Sequence, residues 1–101
     1  MKLTLIRYKA KADKADENEA LIRNVFKALH EKAPEGTRYA ALRLADGSFV
    51  HIVESGTGEG AFSIPSLPAF KEFQSGIRER IAEGPVQNEV TIVGNYRMLA
   101  E

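Results

Sequence analysis

A histidine, an arginine and two tyrosines carry the chemistry this chain can offer. His51 has an imidazole that titrates near pH ~6.5 when unperturbed, so it can serve as a general base close to neutrality. Arg43 brings a planar guanidinium fork that suits a carboxylate or phenolate, the part of an anion stabiliser. Tyr8 and Tyr39 can hydrogen-bond a phenolic or quinone-like ligand. Phe49 and Asn95 complete the set: His51 and Arg43 as candidate catalytic residues, Tyr8, Tyr39, Phe49 and Asn95 as candidate substrate-binding residues. Each also has a structural reading. His51 can be a hydrogen-bonded interior histidine, Arg43 an edge arginine paired with an acid, and the tyrosines core area with satisfied hydroxyls.

Other groups point away from chemistry. His30 falls near the end of a helix, beside charged neighbours, and on a different element from His51, so the histidines show no metal spacing and no metal site is expected. Gly56, Gly58 and Gly60 lack the Lys-Ser/Thr ending of a phosphate loop and read as a connector or lid. Arg78, Glu79, Arg80 and Glu83 read as a solvated helix face. With no cysteine, disulfides, thiolate zinc sites and cysteine nucleophiles are excluded. Lys+Arg and Asp+Glu number 14 each, and no basic cluster stands out, so no nucleic-acid partner is expected. No apolar run is long enough to span a bilayer or to form a signal-peptide core, and a cytoplasmic location without a membrane partner is the expectation.

The elements that must position these residues are legible. At 101 residues the chain is expected to form a single domain over 1–101. Asp46-Gly47 between two alternating runs is a strong hairpin signal. A three-residue loop, Ala45-Asp46-Gly47, with Gly47 left-handed, sets Arg43 opposite Phe49, Leu42 opposite Val50, Ala41 opposite His51 and Tyr39 opposite Val53. A two-residue loop would mix the faces; the longer one segregates them. Lys2 to Lys9 reads as a first strand, with Leu3 and Leu5 on one face and Thr4, Ile6 and Tyr8 on the other. Leu21, Ile22, Val25, Phe26 and Leu29 recur at helical spacing, predicting a helix over 16–33, with Asp16 and Glu19 at capping-box spacing. Phe70, Phe73, Ile77 and Ile81 predict a second helix, from an N-cap at Ser66 to a stop at Gly84-Pro85. Residues 86–98 read as the last strand.

The order is βαββαβ, the split βαβ or ferredoxin-like motif, an α+β fold with a four-stranded antiparallel sheet and two helices on one face. The aliphatic set of Leu3, Leu5, Leu42, Leu44, Val50, Ile52, Val90 and Ile92 is expected beneath the helices. Ile6, Tyr8, Tyr39, Phe49, Val53 and Val93 are expected on the open face, with His51. Leaving that face wet would forgo on the order of 10 kcal/mol. A second copy packed on it by two-fold symmetry is the simplest cover, so a homodimer through the open face is expected.

The run from Leu42 to Val53, the segment Leu67-Pro-Ala-Phe-Lys-Glu-Phe-Gln74 and the run Val90-Thr-Ile-Val-Gly-Asn-Tyr-Arg97, set in this order of elements, resemble the dimeric α+β barrel superfamily, in particular its antibiotic-biosynthesis-monooxygenase-like branch. That resemblance implies a dimeric α+β barrel, a small aromatic or apolar ligand, cofactor-independent oxygenase chemistry and no external cofactor. Well-understood oxygenases of the branch commonly use an Asn–Trp pairing; this chain has no tryptophan, so no catalytic residue carries over. The alternative is a non-catalytic dimeric ligand-binding or stress-associated protein of the same fold.

Overall fold

A computed structural model describes residues 2–55 and 63–98. Strand β1 (Lys2–Ala10) leads into helix α1 (Ala15–Lys32), the hairpin β2 (Arg38–Arg43) and β3 (Ser48–Ser55), a 3-10 turn (Ile64–Ser66), helix α2 (Pro68–Gln74), the single turn α3 (Ile77–Arg80) and strand β4 (Ile81–Val90). The four strands lie in the order β2-β3-β1-β4, each antiparallel to its neighbour, which is the ferredoxin-like arrangement. The glycine-rich residues 56–62, read above as a connector or lid, lie outside the described residues.

The hairpin forms as its sequence predicts. Gly47 is left-handed at φ 88°, and Leu44 N–H donates to Ser48 O at 2.8 Å. The Asp46 carboxylate accepts from Ser48 N–H at 2.9 Å, closing the turn. Arg43 faces Phe49, Leu42 faces Val50, Ala41 faces His51 and Tyr39 faces Val53.

The helices cover the opposite face from the one expected. Beneath α1 and α2 lie Tyr8, Ala10 and Phe49 of the sheet, packed with Ala15, Ile22 and Val25 of α1 and Phe73 of α2. Thr4 and His51 are buried on the same side. Leu3, Leu5, Leu42, Val50, Ile52, Val86 and Val90 share the other face by register. Leu42 is 50% exposed there and Val86 57%. The polar residues do not mark a wet face, because their hydrogen bonds are met inside the protomer, which removes the cost of burying them. His51 therefore points toward the protomer's own helices, not into a barrel shared with a second sheet, and Phe49 is core at 1% exposure.

The second half departs from its sequence reading in two further ways. The predicted long helix breaks at Gly76 (φ 76°), between α2 and α3. Its apolar face survives the break: Phe73 is buried, and Phe70, Ile77 and Ile81 pack against the core. Strand β4 then runs through the cis Gly84–Pro85 bond that was expected to end a helix. Proline is tolerated because β4 is an edge strand, whose outer N–H groups need no ladder partner. Gly84 (φ 98°) sits so close to β1 that a Cβ there would stand 3.0 Å from Tyr8 Cα, and the pairing shifts register beside it. Residues 91–98 are not strand. Val90 is opposite Leu3 on the uncovered face, Ile92 is half-exposed, and Val93 is 99% exposed beyond the sheet. Among the described residues no helix is long and apolar enough to cross a membrane.

At the start of α1 the capping box does not form. Lys14 is the N-cap, without a side-chain cap. Asp16 and Glu19 instead hold Arg43 Nη1 at 2.9 and 2.8 Å, tying α1 to the edge strand β2.

Candidate functional site

Five side chains, each from a different element, join into one hydrogen-bonded chain beneath the helices. Tyr39 of β2 meets His51 Nδ1 at 2.5 Å, and His51 Nε2 of β3 meets the Tyr8 hydroxyl of β1 at 3.0 Å. Asn18 of α1 donates Nδ2–H to the Tyr8 oxygen at 2.8 Å. Arg80 of α3 donates Nε–H to Asn18 Oδ1 at 3.1 Å. Tyr8, Asn18, His51 and Arg80 are all buried, with Asn18 at 0% exposure.

Arg80 is held without a carboxylate among the described residues. Its other guanidinium nitrogens donate to Phe73 O and, at 3.0 Å, to Ser75 O, where α2 ends and its last carbonyls lack helical partners. The guanidinium also lies over the Phe73 ring, 5.4 Å from its centroid. The expected solvated face is thus corrected at Arg80, whose head is an interior bracket joining α2 to α1.

Burial sets the protonation of the chain. It lowers His51 from 6.5 to about 4, so the ring is neutral at pH 7. Burial raises Tyr8 to about 12, although the Asn18 hydrogen bond works the other way, and it raises Tyr39 further. Both tyrosines remain phenols.

The chain borders a cavity of about 850 Å³ between the sheet and the segment from Ser63 to Ile81. Tyr8, Tyr39 and His51 form part of its wall; Ile6, Val53, Ile64, Phe70, Phe73 and Ile77 supply apolar surface, and Glu54 and Arg78 bring charge to it. Ring contacts run along its wall: Tyr39–His51 at 5.7 Å, His51–Phe73 at 5.7 Å and Phe73–Phe70 at 5.7 Å between centroids, with Phe26 of α1 behind Tyr39 at 4.8 Å. The site can receive an apolar or flat molecule and offer it a small polar spot.

Of the residues named from sequence, Tyr8, Tyr39 and His51 come together here. Arg43 does not join them. It lines a smaller cavity of about 440 Å³ between α1 and β2, over the Phe49 ring and paired with Asp16 and Glu19. Phe49 stacks on Tyr8 at 5.7 Å from beneath, as core. Asn95 lies past the end of β4 and does not line the cavity.

Asn18 and Arg80 escaped the sequence reading, yet each leaves a signal. Asn18 is in phase with Ile22, Val25 and Leu29, so a polar residue interrupts an apolar stripe. Arg80 is in phase with Phe73 and Ile77 in the same way. A polar residue on a buried stripe must find partners, and these two find each other.

No family model matches the chain, and no curated protein matches it. Solved structures do. A Nitrosomonas europaea protein provisionally named as an antibiotic biosynthesis monooxygenase superposes with a TM-score of 0.71 at 18% identity, covering 93% of this chain and 100% of that one. A Bacteroides thetaiotaomicron protein with the same provisional name gives 0.72 at 11% identity, covering 98% and 95%. Rv0793 from Mycobacterium tuberculosis gives 0.67 at 13% identity, covering 93% and 96%. The likeness is one of fold, over nearly the whole chain, and it matches the resemblance drawn from the order of elements.

Proposed function

We propose that this protein binds an aromatic or other apolar metabolite in the helix-side cavity. The observation that supports this most directly is the cavity itself: about 850 Å³ of mostly apolar space with the Tyr39–His51 pair on its wall. The space is partly open to solvent, so a small molecule has a way into it. Binding pockets of small molecules have this size and this mix of apolar wall and sparse polar groups. In this reading Tyr39 and His51 orient the ligand. His51 is a poor base here, with both ring nitrogens engaged by tyrosines and a pKa of about 4. Titration with 1-naphthol, followed by the probe's own emission, tests the cavity. Saturable binding that weakens when Ile77→Trp fills the space is expected; no saturable binding sinks the reading.

A second reading is cofactor-independent oxygenation of the bound aromatic molecule, without a cofactor. The provisional names of the structures sharing the fold favour it. Oxygen uptake with a panel of quinols and phenols, compared between the wild type and His51→Ala, decides it. No uptake by the wild type removes the reading; equal nonzero rates from the two proteins keep it and remove His51 from the reaction.

The protein acts, in this proposal, as a homodimer through the uncovered sheet face. The expected face is replaced by its opposite, but the physical need remains. Leu3, Leu5, Leu42, Val50, Ile52, Val86 and Val90 share that face with no helix over them. Aliphatic groups left uncovered in this number, with Arg7 and Asn88 among them, suit an interface between copies. Sedimentation showing a lone protomer at micromolar concentration would end this part.

A further inference from the structure

The chain of hydrogen bonds beside the cavity has a direction, and the direction states what the cavity asks of its ligand. An arginine head carries only donors. The Asn18 atom 3.1 Å from Arg80 Nε is therefore the amide oxygen, and the end facing Tyr8 at 2.8 Å is the NH₂ group. The Tyr8 oxygen accepts there. A phenol has a single proton, and with the Asn18 side closed to it the acceptor within reach is His51 Nε2, at 3.0 Å. An unmet O–H on so deeply buried a tyrosine is unfavourable. Nε2 therefore bears its lone pair. A neutral imidazole with a bare Nε2 carries its hydrogen on Nδ1, and Nδ1–H donates to the Tyr39 oxygen at 2.5 Å. Tyr39's own hydrogen is left over. The tyrosine lines the cavity, and among the described residues its hydroxyl has no further partner.

We infer that Arg80 and Asn18 are positioning residues that fix the polarity of this chain, and that they make Tyr39 a hydrogen-bond donor to the cavity. At Tyr39 the ligand then presents an acceptor oxygen, the carbonyl or ether of an apolar or aromatic molecule. The part concerning the ligand rests on the cavity reading above; the polarity stands on the hydrogen bonds alone.

Two measurements test it. In ¹⁵N spectra of the labelled protein, His51 Nδ1 is expected to be the pyrrole-type nitrogen and Nε2 the pyridine-type one. Asn18→Asp preserves shape and the Arg80 contact but can only accept from Tyr8. It turns the Tyr8 proton around, and the His51 hydrogen is expected to move to Nε2. An Nε2–H tautomer in the wild type, or an unchanged tautomer in Asn18→Asp, overturns the polarity. The second measurement compares 2-acetylnaphthalene with 2-isopropenylnaphthalene, matched in shape and differing by the carbonyl oxygen. The wild type is expected to bind the ketone about fivefold to tenfold more tightly. Tyr39→Phe, which keeps the ring and the cavity, is expected to erase that preference, as is Asn18→Asp. Equal binding of the two probes by the wild type overturns the donor role of Tyr39. If neither probe binds, the cavity reading falls with its ligand, and the tautomer still decides the polarity.

Discussion

The two faces of this sheet are built on opposite plans. The uncovered face carries leucines, valines and an isoleucine, with Arg7, Arg38, Glu54 and Asn88 interleaved among them by register. The covered face mixes Phe49 and Ile6 with Thr4, Tyr8, His51 and Tyr39, and a chain of hydrogen bonds ties Tyr39, His51 and Tyr8 to Asn18 and Arg80 of the helical layer. The difference teaches that polarity alone does not say which side of a sheet is wet. A face of alternating polar and aromatic groups can be the interior when the helices bring matching donors and acceptors. A face of aliphatic groups with charged and polar ones between them can be left outside the protomer.

The sharpest way to break that contrast is to delete one large group from each face. Phe49→Ala on the covered side leaves a cavity beneath Tyr8 and is expected to cost about 4 kcal/mol in urea denaturation. A loss near that of a surface substitution would mean that the packed side is not the one described.

Acid gives the next largest effect, and on the covered face it acts through His51. His51 takes its proton near pH 4 in the folded protein and near 6.5 unfolded. Between those values the unfolded chain binds the extra proton, so stability rises with pH in this window. The contribution is complete above pH ~6.5 and is lost as the pH falls through ~4, about 3 kcal/mol in all. Denaturation midpoints followed across this range should show the loss in the wild type and a flatter profile in His51→Asn. Parallel profiles would show that His51 is not buried as described.

How much of this was legible in the sequence follows the same division. The hairpin register was readable because Gly47 and the alternation around it admit few loops, and the pairing of Arg43 with Phe49 and of Ala41 with His51 came out as derived. The order of strands followed from the crossover rules. The covered face was not readable, because the partners that neutralise Tyr8 and His51 sit at Asn18 and Arg80, distant in sequence and polar themselves. Strand β4 was missed for a related reason. Gly84-Pro85 reads as a stop until the edge position and the close approach to Tyr8 are known. Of the candidate site, Tyr8, Tyr39 and His51 were found by their types and spacing, whereas Arg43 was drawn in by sharing a face with them and proves to serve α1.

On the uncovered face, Leu42→Lys should leave the stability of the protomer within about 0.5 kcal/mol, since the side chain is half in water already. Its effect belongs to association: sedimentation should show the variant shifted toward the lone protomer. A variant that associates as the wild type does would place the interface elsewhere and leave the aliphatic face unexplained.

The smallest effect is expected at the rim where the two plans meet. Arg43 stands at the end of β2, its Nη1 shared between Asp16 and Glu19 in solvent, with its head over Phe49. Exposed ion pairs gain little, because water and salt screen them and two long side chains must be held still. Arg43→Gln should therefore change the denaturation midpoint only slightly at low salt and not at all at high salt, and it should leave binding in the main cavity intact. A large loss of probe binding in Arg43→Gln would mean that the α1–β2 rim shapes the cavity, and that the separation between the two cavities is less complete than their walls suggest.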